Sequence, residues 1–147
     1  ELFRERQVIK IQEFNRLNPA NPMPFIVVVI DEYADLVQVL DRHERQTFER
    51  QVARMAQIAR SFGIHLVVAT QRPSADIVTS RIKANLTTRI AFRLPSHHDS
   101  MTILDQSGAQ NLLGRGDMLV RQNEIVRIQA PLIERASLLH FLEGIKN

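Results

Sequence analysis

Two acidic side chains, Asp31 and Glu32, follow the longest uninterrupted apolar run of the sequence, which extends from Phe25 to Ile30. A carboxylate at the edge of an apolar core needs a cation or hydrogen-bond donors, because desolvation penalises an unpaired charge. In enzymes that hydrolyse nucleotides, an Asp at a strand end holds magnesium, commonly through water, and a following Glu polarises the attacking water. The pair therefore indicates a candidate magnesium and nucleotide site. An alternative stays open, in which Asp31 caps the next helix and Glu32 is a first-turn acid favoured by the helix dipole.

A second pair of polar residues, Thr70 and Gln71, follows the next apolar run, Ile64 to Ala69. In neighbouring parallel strands, this hydroxyl and this amide emerge at the same edge of the sheet as the acidic pair. The amide is then placed to position a water and to report the γ-phosphate, and the hydroxyl is a candidate contact for the nucleotide. The alternative is a polar strand terminus before the turn that Pro73 forces.

Alternating strands and helices must position these side chains. The β-branched runs at residues 25–30 and 64–69 are typical of strands buried on both faces, and residues 42–62 have the apolar spacing of an amphipathic helix. Strand, helix and strand in this order predict parallel pairing in an α/β fold with helices on both faces of a mostly parallel sheet. The other predicted elements are a helix over 1–17, a turn over 18–24, a short helix over 80–86, a third strand over 89–94, a helix over 99–113, a β-hairpin at 117–121 and 124–129, and a helix over 134–145.

Composition excludes several classes of protein. The chain has 147 residues with 44% apolar content, which is enough for one domain with a core. It has no cysteine, which excludes disulfide frameworks and thiolate zinc sites and fits a cytoplasmic location. The longest apolar run is far shorter than the about 20 residues of a membrane-spanning helix, so we expect no membrane segment. Only three of the 19 basic residues are lysine, and arginine suits phosphate or interface carboxylates, although solvated helix-face charge explains most of these arginines.

Three segments of the chain stand out together. They read VVVIDEYADL, QIARSFGIHLVVATQRPSADIVTSRIKANLTTRIAFRL and DSMTILDQSGAQNLLGRGDML, and lie between residues 24 and 120. In sequence and in order they resemble the motor domain of FtsK/SpoIIIE-type DNA translocases. The resemblance implies a RecA-like fold, ATP and magnesium as cofactors, and a homo-hexameric ring around double-stranded DNA that hydrolyses ATP at subunit interfaces.

The same resemblance implies catalytic roles for four residues. Asp31 is similar to the family's magnesium acid, Glu32 to its catalytic base and Gln71 to its sensor. Arg60, in the segment ARSFGIHL, resembles the arginine that the family supplies to the phosphates of the neighbouring subunit. Such an arginine neutralises charge in the transition state and makes hydrolysis depend on assembly. The alternative is that Arg60 is only a helix carboxyl-terminal arginine satisfied by the dipole.

Other positions resemble family residues that contact DNA or nucleotide. Arg72 and Lys83 are similar to pore-side basic residues that touch the DNA backbone, which implies nonspecific binding that weakens as salt rises. Surface charge is the alternative. Gly114 and Gly116, in LLGRGDML, resemble a turn near the bound nucleotide, where glycine permits close backbone approach.

The chain departs from the family pattern in two places. His97 stands where family members often have lysine, so a charge there is conditional on pH. No phosphate-binding loop of the form GxxxxGK[ST] matches any of the five glycines. Because that loop lies upstream in the family, we expect this chain to be the carboxyl-terminal part of the motor domain, over residues 1–147, and to be unable to hydrolyse ATP alone.

Two other functions remain open at this point. A related secretion ATPase shares the RecA core and the Asp-Glu and TQRPS elements, but the run from IKANLTTRIAF to LLGRGDML is more similar to the DNA translocases. A degenerate module that assembles without hydrolysis is compatible with the absent loop.

Overall fold

The structure, a computed structural model, describes residues 2–145, and the chain divides into two compact units at residue 87. None of the helices in residues 2–145 is long and apolar enough to span a bilayer. The elements in chain order are α1 (Leu2–Glu5), α2 (Ile11–Leu17), β1 (Ile26–Ile30), α3 (Tyr33–Gln38), α4 (Arg42–Ile58), β2 (Ile64–Val68), α5 (Ser80–Asn85), β3 (Arg89–Ala91), α6 (His97–Leu104), β4 (Asp117–Arg121), β5 (Ile125–Gln129) and α7 (Arg135–Ile145), with 3₁₀ segments at Ala59–Phe62 and Ala109–Asn111.

In the first unit, β1 and β2 form a parallel pair, as the sequence predicts. The register aligns Ile26 with Ile64 and Ile30 with Val68, so the two strands end side by side. Helix α4 connects them along the chain, which is the strand, helix and strand order that favours parallel pairing. The backbone register therefore places the carboxyl ends of the two strands side by side.

The core of the first unit lies on one face of this strand pair. Tyr33, Val37, Val52, Ile77 and Ile82 are buried together there, and the inward side chains of both strands pack against them. Apolar residues at helical spacing on α3, α4 and α5 supply this cluster, which holds these helices against the strands.

Helix α4 begins at a capping box. The Asp41 carboxylate accepts hydrogen bonds from the backbone N–H groups of His43 and Glu44 at 2.7 and 2.8 Å, and the Glu44 carboxylate accepts from the Asp41 N–H at 3.0 Å. These bonds satisfy backbone donors that a helix start otherwise leaves unpaired, which fixes where the helix begins.

Gly63 ends the 3₁₀ segment after α4 in a left-handed conformation, with φ at 76°. A Cβ at this position would lie 2.4 Å from Cδ1 of Ile11, which is fully buried.

We expect Gly63→Ala to lower the free energy of unfolding by about 1–3 kcal/mol, because both the backbone and the Ile11 contact become strained. Urea denaturation followed by circular dichroism measures this change. Gly144→Ala is the matched control, since a Cβ there meets nothing within 4 Å; an equal loss in both variants would contradict the prediction.

The predicted helix over residues 1–17 is wrong as a single element. The structure has two short helices, α1 and α2, separated by a turn at Gln7, whose φ is 54°. The Val8 N–H bonds back to the Phe3 carbonyl and closes this turn. The ring of Phe3 stacks on that of Phe14, 5.1 Å away between centroids, so folding the segment back on itself buries apolar surface that one straight helix would leave apart. Glu1, the first residue of the predicted helix, lies outside the described residues.

The prediction that both strands are buried on two faces is also wrong for the described residues. Side chains of β1 and β2 alternate, and Val27 and Val29 are each 62% exposed on the face opposite the core. A continuous apolar run predicts two covered faces, but the buried cluster of residues 2–87 lies on one face.

In the second unit, β3, β4 and β5 form an antiparallel sheet. The hairpin of β4 and β5 is confirmed, with Val120 opposite Val126 and a tight turn in which the Gln122 N–H donates to the Glu124 carbonyl. The third strand is confirmed but shorter than predicted, and it pairs antiparallel with β4 and does not extend the parallel pair. Strands β4 and β5 are neighbours in the chain and pair as a hairpin, and β3 pairs with the remaining edge of β4.

The predicted helix over residues 99–113 is shorter than expected. Helix α6 ends at Leu104, where Asp105 adopts a left-handed conformation with φ at 51°. Leu104, Ala109 and Leu112 are then buried together with Ala91 of β3. The segment after α6 bends back to reach this cluster, which a continuous helix would not permit.

A buried carboxylate ties the hairpin to the loop before it. Asp117, 6% exposed, accepts two hydrogen bonds from the Arg127 guanidinium at 2.9 and 2.7 Å and one from the Leu113 N–H at 2.8 Å. The hydrogen bonds from Arg127 have the largest effect on the pKa of Asp117, and the bond from the Leu113 N–H has the next largest. Together they lower this pKa from 3.8 to about 2. The ionised carboxylate is thus the form that the folded hairpin binds.

We expect Arg127→Ala to increase hydrogen exchange several-fold in residues 113–129, because the substitution leaves Asp117 with one donor and a buried charge. Arg93→Ala, at an exposed arginine of the same unit, is the control. Since the folded pKa is depressed, the stabilisation by this pair is present above pH 3.8 and is lost as pH falls through about 2. The difference between Arg127→Ala and the unmodified protein should therefore disappear over that range; a difference that persists below pH 2 would show that the pair does not cause it.

Candidate active site at the ends of the parallel strands

Backbone hydrogen bonds extend the strand pairing beyond β1 and β2. The Ala69 N–H donates to the Ile30 carbonyl at 2.9 Å, and the Tyr33 N–H donates to the Ala69 carbonyl at 2.8 Å. These bonds bring the chain after β1 beside the chain after β2. The predicted meeting of the two polar pairs at one edge of the sheet is therefore what the structure shows.

Glu32 occupies a strained backbone conformation at this edge. Its φ and ψ are 54° and 66°, in the left-handed region that non-glycine residues rarely adopt, at a cost of about 1–3 kcal/mol. It is the residue before α3, and its side chain makes no capping hydrogen bond to that helix. The alternative in which these acids serve only the start of the next helix is not what the structure shows. The Glu32 side chain instead turns toward the second strand.

The Glu32 carboxylate is held by two donors from the segment after β2. Its Oε1 accepts from the Thr70 hydroxyl at 2.7 Å and its Oε2 accepts from the Gln71 backbone N–H at 2.9 Å. The Thr70 bond, and then the Gln71 bond, lower the pKa of Glu32 below 4.5, so the group is an anionic acceptor at neutral pH. The Gln71 side chain is exposed, and its backbone makes this contact.

Asp31 is the exposed member of the acidic pair. One carboxylate at a strand end fits a magnesium ion that keeps several waters and arrives with phosphate oxygens, since magnesium seldom uses an all-protein cage. Within residues 2–145, no group of three or more acidic or histidine side chains is placed to hold a metal ion.

Two residues next to this site, Asp35 and Gln38 on α3, were not predicted from the sequence. Oε1 of Gln38 lies 3.0 Å from the Arg72 guanidinium, and Oδ1 of Asp35 lies 3.8 Å from it. The Arg72 N–H also donates to the Thr70 hydroxyl oxygen at 3.1 Å. The signal was present in the sequence, because positions three apart on a helix share a face and this helix starts at the site.

Arg60 lies at the opposite end of β2 from Gln71. It is exposed in the 3₁₀ segment before the strand, whereas Gln71 follows the strand. Five residues of β2 separate these ends by roughly 16 Å at 3.3 Å per residue. The structure therefore does not bring Arg60 to the acidic pair of the same chain.

The other predicted contact residues lie on separate elements. Lys83 is in the last turn of α5, and His97 is exposed at the start of α6. In the second unit, Gly116 has φ at 90°, and a Cβ there would lie 3.0 Å from the Ala130 carbonyl oxygen, so the hairpin itself requires this glycine. Gly114 has φ at 82° with open space around it.

Parallel strands, covering helices and an acidic pair at the carboxyl ends of those strands define the class of protein. The chain is part of a RecA-like α/β domain of the P-loop ATPase type, which confirms the predicted α/β, RecA-like class, although residues 2–145 do not show a mostly parallel sheet covered on both faces. The parallel strand pair and its site agree with this class, and the second unit has a separate antiparallel sheet.

The chain belongs to the FtsK/SpoIIIE family. The family model matches residues 2–75, and a relative named DNA translocase FtsK from Clostridium acetobutylicum is 44% identical over the whole chain. The chain spans 10% to 20% of the length of such curated relatives. The resemblance inferred from the sequence segments is confirmed.

Solved structures agree with this assignment. The pCW3 conjugation coupling protein TcpA, in its monomer form with ATPγS, superposes with a TM-score of 0.84 at 27% identity, over 99% of this chain and 44% of that one. The cytoplasmic domain of the Thermomonospora curvata type VII secretion ATPase EccC gives a TM-score of 0.74 at 24% identity, over 88% of this chain and 15% of that one. The second likeness supports the fold alone.

Proposed function

We propose that this chain is the carboxyl-terminal part of an ATP-dependent motor domain that moves double-stranded DNA. The observation that carries the proposal is the strand-end cluster, in which Asp31 is exposed while Glu32 is held against Thr70 and Gln71. Membership of a family whose relatives are named DNA translocases supports the choice of DNA as substrate. The same proposal assigns the domain to the cytoplasm.

Each strand-end residue has a separate role in this proposal. Asp31 would hold the magnesium ion that accompanies ATP, and that ion would supply neutralisation of the phosphate charge. Glu32 accepts the proton of the attacking water, for which an ionised carboxylate is required. The Gln71 side chain, exposed at the same edge, orients that water and senses the γ-phosphate. The open turn at Gly114 allows backbone to approach nucleotide, with Gly116 shaping the turn.

Arg60 acts on a neighbouring subunit in this proposal. Its position at the other end of β2 from the acidic pair supports a role outside its own site, and its side chain is exposed, as contact with another protomer requires. A homo-hexameric ring supplies such a neighbour at every site. Hydrolysis then requires assembly, because the transition-state charge is neutralised in trans.

Arg72 and Lys83 contact the DNA backbone in this proposal. We expect Arg72→Ala in the full-length protein to weaken duplex binding equally for unrelated sequences, because phosphate contacts carry no sequence information. The plot of log affinity against log salt should become shallower by roughly 1 for each phosphate contact removed. Filter binding or fluorescence anisotropy across a salt series measures the slope. Arg54→Ala, at an exposed arginine of α4, is the control, and an unchanged slope in Arg72→Ala would reject the contact.

A secretion ATPase is the second candidate function. The likeness to the type VII secretion ATPase EccC, with a TM-score of 0.74, favours it, although EccC is only 24% identical. A peptide substrate in place of DNA would give peptide-stimulated hydrolysis and no salt-dependent duplex binding. The two functions therefore separate in one ATPase assay with each substrate in turn.

A module that assembles without hydrolysis is the third candidate, since these 147 residues contain no GxxxxGK[ST] match. We propose that the loop is supplied by the rest of the motor domain and that this part alone is inactive. ATP turnover by the full-length protein together with no turnover by residues 1–147 is the expected result. Turnover by neither would favour the assembly module.

A further inference from the structure

The Thr70 hydroxyl connects two residues that the proposed function treats separately. It donates to Oε1 of Glu32 at 2.7 Å, and its oxygen accepts from the Arg72 N–H at 3.1 Å. One small side chain thus contacts both the catalytic carboxylate and the backbone of the proposed DNA contact.

The segment that carries these groups is short, and its backbone is constrained by a proline and by local hydrogen bonds. Arg72 precedes Pro73, which restricts the Arg72 backbone to extended conformations. The Arg72 carbonyl accepts from the Ser74 N–H at 2.9 Å, and Pro73 is buried. These contacts join Arg72 to both sides of the segment, to Thr70 before it and to Ser74 after it.

The present partners of the Arg72 guanidinium are weak and exposed. Its contact with Asp35 is 3.8 Å long, and both side chains are at least 60% exposed. The hydrogen bond to Gln38 is at the surface as well. A phosphate oxygen offers Arg72 a charged, bidentate acceptor, so a DNA backbone can displace both partners.

From these contacts we propose that Thr70 is a positioning residue that restrains Glu32 until DNA engages Arg72. In the free protein, the Thr70 hydroxyl and the Gln71 N–H hold the carboxylate against the β2 side of the site. When a DNA phosphate takes Arg72 from Gln38 and Asp35, the 70–72 segment moves and releases Glu32 toward the attacking water. This inference rests on the proposed roles of Glu32 and Arg72.

The test compares Thr70→Val and Thr70→Ser in the full-length protein. Valine keeps the shape of threonine without a hydroxyl, whereas serine keeps the hydroxyl. In Thr70→Val, we expect ATP hydrolysis without DNA to rise several-fold while the rate at saturating duplex DNA does not rise, so the stimulation ratio falls toward one. Thr70→Ser should keep the ratio of the unmodified protein. A loss of rate in both conditions with an unchanged ratio would mean that Thr70 is only structural, and would overturn the proposal.

Hydrogen exchange of residues 69–74, without nucleotide, is the readout that does not depend on activity. Duplex DNA should increase exchange at the Gln71 amide in the unmodified protein, because release of Glu32 removes its acceptor. Thr70→Val should show raised exchange before DNA is added. No change on DNA addition, together with unchanged exchange in Thr70→Val, would also overturn the proposal.

Gln38→Ala tests the coupling between Arg72 and Glu32 by a substitution at an exposed position, where a loss of folding is not expected. We expect the DNA concentration for half-maximal stimulation to fall a few-fold, because Arg72 loses a competing partner. Gln46→Ala, at an exposed glutamine of α4, is the control. An unchanged or raised half-maximal concentration in Gln38→Ala would contradict the link.

The experiment separates this inference from the proposed function. If Glu32→Gln keeps full hydrolysis, the proposed catalytic role fails whatever Thr70 does. If Glu32→Gln loses hydrolysis but Thr70→Val keeps its stimulation ratio and its exchange, the catalytic role stands and only the restraint by Thr70 fails.

Discussion

Glu32→Gln in the full-length protein is expected to lower ATP hydrolysis at least about a hundredfold while ATP binding is kept. The amide fills the same space, but it cannot accept a proton from water, and removal of a positioned catalytic base typically has an effect of this size. Steady-state phosphate release measures the rate, and equilibrium binding of a fluorescent ATP analogue measures the affinity.

The control for this substitution is Glu124→Gln, at an exposed glutamate of the hairpin turn, which should leave both quantities unchanged. Turnover at the unmodified rate in Glu32→Gln would reject the catalytic role. Loss of ATP binding as well as hydrolysis would instead indicate a role for Glu32 in holding the site together.

Arg60→Ala is expected to reduce hydrolysis by about a thousandfold or more, which is the range for removal of an arginine supplied in trans. The physical reason is geometric. Arg60 lies before β2, a strand roughly 16 Å long, and the strand-end site lies beyond its other end, so the proposed function has its guanidinium neutralise transition-state charge in an adjoining subunit. The measurement is the rate of phosphate release as protein concentration, and therefore assembly, increases.

Mixed assemblies test the same role more sharply. Arg60→Ala subunits keep Glu32, and Glu32→Gln subunits keep Arg60, so a mixture of the two inactive variants should regain part of the activity at interfaces that combine both intact residues. Arg54→Ala mixed with Glu32→Gln is the control for dilution of active subunits. Two variants that fail to complement one another would leave Arg60 with a structural role.

Much of the fold could be predicted because the signals are local. The apolar runs give β1 and β2, the three- and four-residue spacing gives α4, and the strand, helix and strand order gives parallel pairing. The acidic pair and the Thr70-Gln71 pair were predicted to meet because parallel strands present their carboxyl ends at one edge. The observed strand register and the hydrogen bond from Thr70 to Glu32 agree with this prediction.

Predictions failed where contacts distant in sequence compete with local pattern. The helical spacing of apolar residues in 1–17 carries no information about the packing of Phe3 on Phe14. It therefore does not predict the break between the two helices at Gln7. The apolar pattern of β3 identifies a strand but not its partner, and the structure gives it the edge of a nearby hairpin. Strand existence is a local property, whereas strand pairing depends on which edges are free.

The family, the α/β class and the location of the acids at a strand end could all be predicted from residue type, order and period. The contacts of those acids are visible only in the folded chain. In the fold, the Glu32 side chain contacts Thr70, and the Arg72 side chain contacts residues of α3. Arg60 lies at the other end of β2 from this site. Side-chain partners across two strands depend on register and backbone conformation, here including a left-handed Glu32 that no local pattern indicates.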